Sequence, residues 1–387
     1  MHARAAICQL SRRLKRLLPP RHGATVTPLL FRPVQARRIH ARPELRAMEV
    51  TAAPHVDDQP PLGALLAAAV LSASTLLAAS FSGQEAQCEP YMRSSPRTFD
   101  HEYETKSLLG CGTFGVVMQC VRKRDGHVAA VKVIQDFPEC QEEVAREKEA
   151  LALIECAGGH EHIVRFDGAY QHDGFHYIVT ELVPGESLYS FVQKRGPLDI
   201  PTALSLTTQL ASALAFMSSS ARGLIHRDLK PENILVVEQD GKLALKIIDF
   251  GSAELTASSS PSSSSSASAS PQKPSMTLSG TRCYWPPEVL RQQETSAAMD
   301  MWALGCILFI MISGRHPFDM MGCSTENEIV ERILTSESVS FVHPMWRDVP
   351  EDIKSLLREL LDKDPVTRLR VDGLLSHPAL AQAHDAA

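Results

Sequence analysis

The eight residues H-R-D-L-K-P-E-N at 226–233, with D-F-G following at 249–251, constrain this chain more than any other feature. Sixteen positions separate Asn233 from Asp249, and the turn E-Q-D-G at 238–241 between apolar runs predicts a hairpin there. The hairpin gathers two carboxylates, an ammonium and a carboxamide. Asp228 can accept the proton of a substrate hydroxyl. Lys230 can neutralise a phosphoryl group in transfer. Asn233 and Asp249 can each hold a magnesium ion, which takes few protein oxygens and keeps phosphate and water as its other ligands. Phosphoryl transfer needs positioning and charge neutralisation more than covalent help, and these residue types supply both.

A second set lies upstream. G-C-G-T-F-G-V-V at 110–117 carries Gly110, Gly112 and Gly115, which let two antiparallel strands fold closely over a nucleotide and turn backbone N–H groups toward phosphates. A dinucleotide-binding fold uses the same glycine spacing, but it places a helix directly afterwards. Here the following residues read as strand, turn at Asp125-Gly126, and strand, so a dinucleotide site is disfavoured. The second strand carries A-A-V-K at 129–132. Ala130 is small enough to lie over an adenine ring, and Lys132 would hold the α- and β-phosphates. Such a lysine needs an acidic partner, and Glu147 in the helical stretch 144–154 is the candidate. Taken singly, Lys132 is an exposed strand lysine and Glu147 a solvated helix face.

Together these motifs, in this order, resemble the eukaryotic protein kinase domain over residues 103–380. G-T-R-C-Y-W-P-P-E at 280–288 resembles the end of an activation segment, with Pro286 where the family usually has Ala. D-M-W-A-L-G at 300–305 resembles the helix that anchors the catalytic loop, and Arg368 the arginine that pairs with Glu288. The resemblance implies an α+β fold of two lobes, a small β-rich one and a larger helical one. It implies ATP and Mg2+, with Asp228, Lys230 and Lys132 catalytic and Asn233 and Asp249 on the metal. Nucleotide contacts would come from Leu109, Gly110, Cys111, Gly112, Thr113, Phe114, Gly115, Val116, Val117, Ala130, Lys132, Glu147, Glu181, Val183 and Leu235. Leu151, Phe166, His226 and Phe250 would stack as a spine between the lobes, with Thr180 as gatekeeper. Lys132 and Glu147 stand 15 apart, a few residues closer than is common in the family. Lys230, two positions after Asp228, resembles serine/threonine rather than tyrosine kinases. I-I-D-F-G-S-A at 247–253 and W-R-D-V-P-E-D-I-K at 346–354 are loosely similar to the calcium/calmodulin-dependent group, yet only nine residues follow Pro378, too few for a calmodulin-binding helix. The expected partners are ATP and a protein with a Ser or Thr acceptor. The competing reading is a weakly active or inactive scaffold of the same fold. A phosphosite is expected at Thr277, read by Arg227, whose charge would otherwise stand uncompensated beside Asp228.

The flanks differ from this body. Residues 1–50 carry a charge of +9 and the remainder −15, which argues against a nucleic-acid-binding main domain. Residues 1–58 read as a basic, Arg-rich leader of organellar, mitochondrial type, or a basic arm on an anionic surface. Residues 59–83 hold no charged residue and are long enough for a transmembrane helix, or form an Ala-rich linker helix. A linker at 84–102 then leads into the domain. A Ser-rich insert at 256–274 cannot bury a core, and 381–387 form a tail. The expected location is a mitochondrial membrane, or else the cytoplasm. Nine cysteines without a C-x-x-C pair suit a reducing compartment.

Overall fold

The computed structural model describes residues 98–111, 115–219, 223–239, 241–256, 281–293 and 295–380. The leader, the apolar stretch 59–83, Gly112, Thr113, Phe114, the Ser-rich insert beyond Thr256, Thr277 and the tail lie outside the described residues.

The first lobe is a five-stranded antiparallel sheet. It comprises β1 (Tyr103–Cys111), β2 (Gly115–Arg122), β3 (Val128–Gln135), β4 (Phe166–His172) and β5 (Phe175–Glu181), in the order β1-β2-β3-β5-β4. A short helix, α1 (Phe99–Glu102), precedes it, and α2 (Gln141–Cys156) crosses between β3 and β4. Successive side chains along a strand face opposite sides. Val116, Met118 and Cys120 of β2 and Ala129, Val131 and Val133 of β3 therefore share one apolar layer with Phe99, Tyr103 and Val179. Ile134 and Ile178 belong to a second layer, shared with α2 and continuous with the helical lobe. The packed body begins at Phe99, fully buried and stacked on Tyr103 and Tyr177 at 5.4 and 4.7 Å, so the expected linker boundary at 102 falls inside it.

After β5 come β6 (Glu186–Ser187), α3 (Leu188–Arg195), α4 (Ile200–Ser219) and β7 (Leu224–Ile225). Then follow β8 (Ile234–Gln239), β9 (Lys242–Ile247) and β10 (Glu254–Leu255). The helical lobe is completed by α5 (Pro287–Leu290), α6 (Ala298–Ser313), α7 (Glu326–Thr335), α8 (Glu351–Leu360) and α9 (Val371–Leu375). α6 is apolar all round because it is enclosed all round, with Trp302, Leu304, Ile307, Leu308 and Phe309 fully buried. A side chain at Gly305 would come within 2.9 Å of Leu360 and Leu361, so glycine is what lets α8 and its C-terminal end lie against α6. Among the described residues α4 alone is long and apolar enough to cross a bilayer, but half of it is buried inside the domain, where it packs on α6 and β9 as a core helix.

Candidate functional site

The site is assembled where β2, β3 and α2 meet the segments flanking β8 and β9. Strand alternation sends Ala130 and Lys132 to the face opposite the outer apolar layer, with Val117 beside Lys132 in register and Thr180 beside Ala130. Close approach of β2 to β3 depends on Gly115, where a Cβ would fall 2.2 Å from the Val133 carbonyl oxygen. Val116 departs from expectation. It is 1% exposed in the outer layer, because it precedes Val117 in the opposite phase, and its side chain is withheld from the face that carries Ala130 and Lys132.

Lys132 Nζ donates to Glu147 Oε2 at 2.8 Å and to Asp249 Oδ1 at 3.1 Å. The short spacing to Glu147 is accommodated by a single 3-10 turn, Pro138–Cys140, which joins β3 almost directly to α2. Burial works against a charge on Lys132, but the two carboxylates outweigh it and hold the lysine above its ordinary value. Burial also pushes Glu147 up to about 7, against the pull of Lys132. For Asp249 burial acts in the same sense, and Lys132 more than reverses it, leaving that carboxyl below the usual range. One ammonium thus joins the helix of the first lobe to the D-F-G segment.

The catalytic-loop candidates cluster below. Lys230 Nζ donates to Asp228 Oδ2 at 2.7 Å, and Asn233 Nδ2 donates to the same oxygen at 3.1 Å and to the Asp228 carbonyl at 2.9 Å. Both donors reach Oδ2, which orients the carboxylate and leaves Oδ1 for a substrate hydroxyl. Lys230 also reaches Thr281 Oγ1 at 3.4 Å. Two non-glycine residues adopt left-handed backbone here, Arg227 at φ +68° and Asp249 at φ +65°. Such conformations persist only where neighbours over-determine them. The Asp300 carboxylate, from the first turn of α6, accepts the His226 and Arg227 amides at 2.7 and 2.9 Å. Burial raises the Asp300 carboxyl, with His226 and those two amides opposing.

Leu151, Phe166, His226 and Phe250 are all buried, and the His226 and Phe250 rings lie 5.0 Å apart. Leu235 lies partly buried on β8, facing Lys246 in register, and Leu109 and Cys111 are exposed on β1, with Gly110 between them. The Glu181 carboxylate is taken up by the Arg165 amide at 2.9 Å and Lys246 at 2.6 Å, so only its backbone is left for a nucleotide. The Val183 carbonyl accepts from Gly185 at 2.9 Å. Arg368 makes a bidentate pair with Glu288 at 2.7 and 2.9 Å, both fully enclosed. Arg227 corrects a second expectation, because its guanidinium is paired with the Glu254 carboxylate and carries no uncompensated charge. The acid three residues beyond Gly251 was the sequence signal for that pair.

Among the described residues no group of three or more His, Cys, Asp or Glu could cage a metal. The donors at hand are the Asn233 carboxamide and the Asp249 carboxylate, whose side chain is 42% exposed. Two hard oxygen donors, the Asp249 carboxylate partly open to solvent and the Asn233 carboxamide buried, fit magnesium, not zinc or a resident metal cage.

The sequence matches the protein kinase domain family over residues 103–380, and the chain belongs to that family. It is similar to serine/threonine-protein kinase PKZ1 of Phytophthora infestans, 35% identical over 327 residues that cover 78% of this chain and 76% of that one. It is also similar to the probable serine/threonine-protein kinase fhkD of Dictyostelium discoideum, 31% identical over 294 residues. Those residues cover 71% of this chain and 36% of that one. Ribosomal protein S6 kinase alpha-4 of Mus musculus is 35% identical over 291 residues, 74% of this chain and 35% of that one. The chain spans only about a third of the length of these last two.

Proposed function

We propose that this chain is an active protein serine/threonine kinase that transfers the γ-phosphate of ATP to a protein hydroxyl. The observation that carries the reading is Lys132 bound at once to Glu147 and Asp249, at 2.8 and 3.1 Å, with Asp228, Lys230 and Asn233 joined in one cluster. Lys132 would hold the nucleotide's phosphates, fixed in place by Glu147. Ala130, Val117 and Leu235 would enclose the adenine, and the backbone of 181–183 would hydrogen-bond its edge. Asp228 would accept the proton of the acceptor hydroxyl through Oδ1 while Lys230 neutralises the transferring group. Asn233 and Asp249 would hold magnesium, which supplies charge neutralisation on the phosphates. The names of the Phytophthora infestans and Dictyostelium discoideum relatives support serine and threonine as acceptors.

Incubation of the purified chain with labelled ATP, magnesium and a generic protein substrate tests this. Label should appear on serine or threonine, Asp228→Ala should abolish it, and removal of magnesium with a chelator should do the same. Undiminished transfer by Asp228→Ala sinks the reading.

For residues 1–83 the proposal rests on sequence pattern alone. The basic leader, free of acids over residues 1–43, and the uncharged stretch 59–83 would direct and tether the domain at a membrane, at mitochondria by composition. A reporter fused to residues 1–100 should resist carbonate extraction, and diffuse cytosolic signal rejects the tether.

A further inference from the structure

Arg227 is a poor residue to leave alone. It precedes Asp228, it holds left-handed backbone at φ +68°, and its side chain is 11% exposed. Its Nε is buried without a hydrogen-bond partner among the described residues, so the guanidinium relies on its Nη groups. Nη1 donates to Glu254 Oε2.

Glu254 is delivered there by topology. β10 pairs antiparallel with β7, with Glu254 opposite Ile225 and Leu255 opposite Leu224. The ladder is two residues long, extended by the Thr256 amide donating to the Gly223 carbonyl at 3.0 Å. β10 leaves the D-F-G segment three residues after Gly251, and β7 enters the 226–233 loop directly. A single carboxylate therefore joins the two segments that carry Asp249 and Asp228. The Thr295 hydroxyl donates to the same Oε2 at 3.2 Å, which brings in the residues leading to α6, whose Asp300 holds the Arg227 amide. The loop is gripped through its backbone by Asp300 and through its side chain by Glu254.

We propose that Glu254 is a positioning residue of the catalytic loop, its carboxylate supplying in cis the anion that Arg227 requires, so that turnover does not depend on phosphorylation of the segment 257–280. A phosphate introduced in that segment would have to displace Glu254 to reach Arg227. The consequence for turnover rests on the kinase reading above. The consequence for loop order does not.

The experiment uses the full chain as wild type, Glu254→Gln and Glu254→Asp, each with and without prior treatment by a serine/threonine phosphatase. Wild type should lose less than about twofold in kcat on dephosphorylation. Glu254→Gln, which keeps shape and loses charge, should lose about tenfold or more in kcat with KM for ATP within about twofold. Glu254→Asp should recover most of the loss. In parallel, hydrogen exchange at the Arg227 and Asp228 amides should quicken in Glu254→Gln while the melting temperature stays near that of wild type. A Glu254→Gln kcat within about twofold of wild type, or a tenfold fall in dephosphorylated wild type, overturns the proposal. Should wild type transfer no phosphate at all, the kinase reading fails and amide exchange alone decides the role of Glu254. Unchanged exchange then rejects it.

Discussion

Glu288→Ala tests how the helical lobe is held together. The Arg368 guanidinium is wholly enclosed, with side-chain exposures of 0% for Arg368 and 5% for Glu288. Beyond its two bonds to Glu288 it donates from Nε to the Asp362 carbonyl at 2.8 Å and from Nη1 to the Ala298 carbonyl at 2.9 Å, and it lies 5.2 Å over the Trp302 ring. Truncating Glu288 leaves two carbonyls and a π face around a full positive charge from which water is excluded. Removing one partner of a buried pair costs about 3–5 kcal/mol, because the remaining charge keeps its desolvation penalty and loses its counter-ion. For a domain of this size each kcal/mol moves the melting temperature by about 2–4 °C, so a fall of roughly 6–20 °C is expected. Differential scanning calorimetry on the purified chain measures it. Added salt should leave the difference in place, since a buried pair is weakly screened. The control is Glu238→Ala, which breaks a pair with Arg195 whose side chains are 52% and 53% exposed. It should shift melting by no more than about 2–4 °C, as an exposed pair contributes at most about 1 kcal/mol. A Glu288→Ala protein that melts within about 2 °C of wild type would refute the reasoning, since it would mean the enclosed guanidinium needs no counter-charge.

Lys132→Met should lower kcat by about 100-fold or more in the labelled-ATP assay, by misplacing the phosphates, while melting shifts only slightly. Gly115→Ala should destabilise by about 1–3 kcal/mol in denaturant titration, because its methyl cannot share space with the Val133 carbonyl unless β2 and β3 separate. Burial pushes the His316 imidazole down to about 4; Nδ1 accepts from the Phe318 amide at 3.3 Å and Nε2 lies 3.1 Å from the Cys283 carbonyl, an arrangement that suits the neutral ring. With the folded pKa below the unfolded one near 6.5, the unfolded chain binds the extra proton first, so this contribution to stability is lost as pH falls from about 6.5 toward 4. His316→Asn should flatten that part of the melting-temperature profile. Phe99→Ala should cost about 3–5 kcal/mol in the same titration, since it empties a fully buried aromatic position.

Much of this was legible in the sequence, for a physical reason. Asp228, Asn233, Asp249 and Lys132 are short- or long-armed polar groups whose chemistry depends on type and order, and order survives in one dimension. The long helices were legible too, α2 as the helical stretch 144–154 and α6 through the D-M-W-A-L-G motif at 300–305. What sequence hid was the direction of side chains and the identity of partners. Val116 and Val117 are the same residue type, and only the strand's phase separates the buried layer from the nucleotide face. Glu254 reads as one more exposed acid until β10 pairs with β7 and brings it to Arg227. Glu186 likewise reads as a free acid, yet it accepts from Lys194 at 2.6 Å and Ser190 at 2.7 Å, contacts set by the turn from β6 into α3.

Phe99 shows that the family boundary and the folding boundary are different places. The family match opens at Tyr103, yet the ring at 99 is stacked between Tyr103 and Tyr177 and meets Tyr170 edge-on at 6.0 Å. The Tyr170 hydroxyl donates to Glu102 at 3.0 Å, so α1 is held at both ends. Excising the domain at its family limits would open a slot between three tyrosines on the outer face of the sheet. Any graft, fusion or proteolytic trimming that keeps the outer face of the sheet packed must therefore leave the chain intact from Phe99 onward.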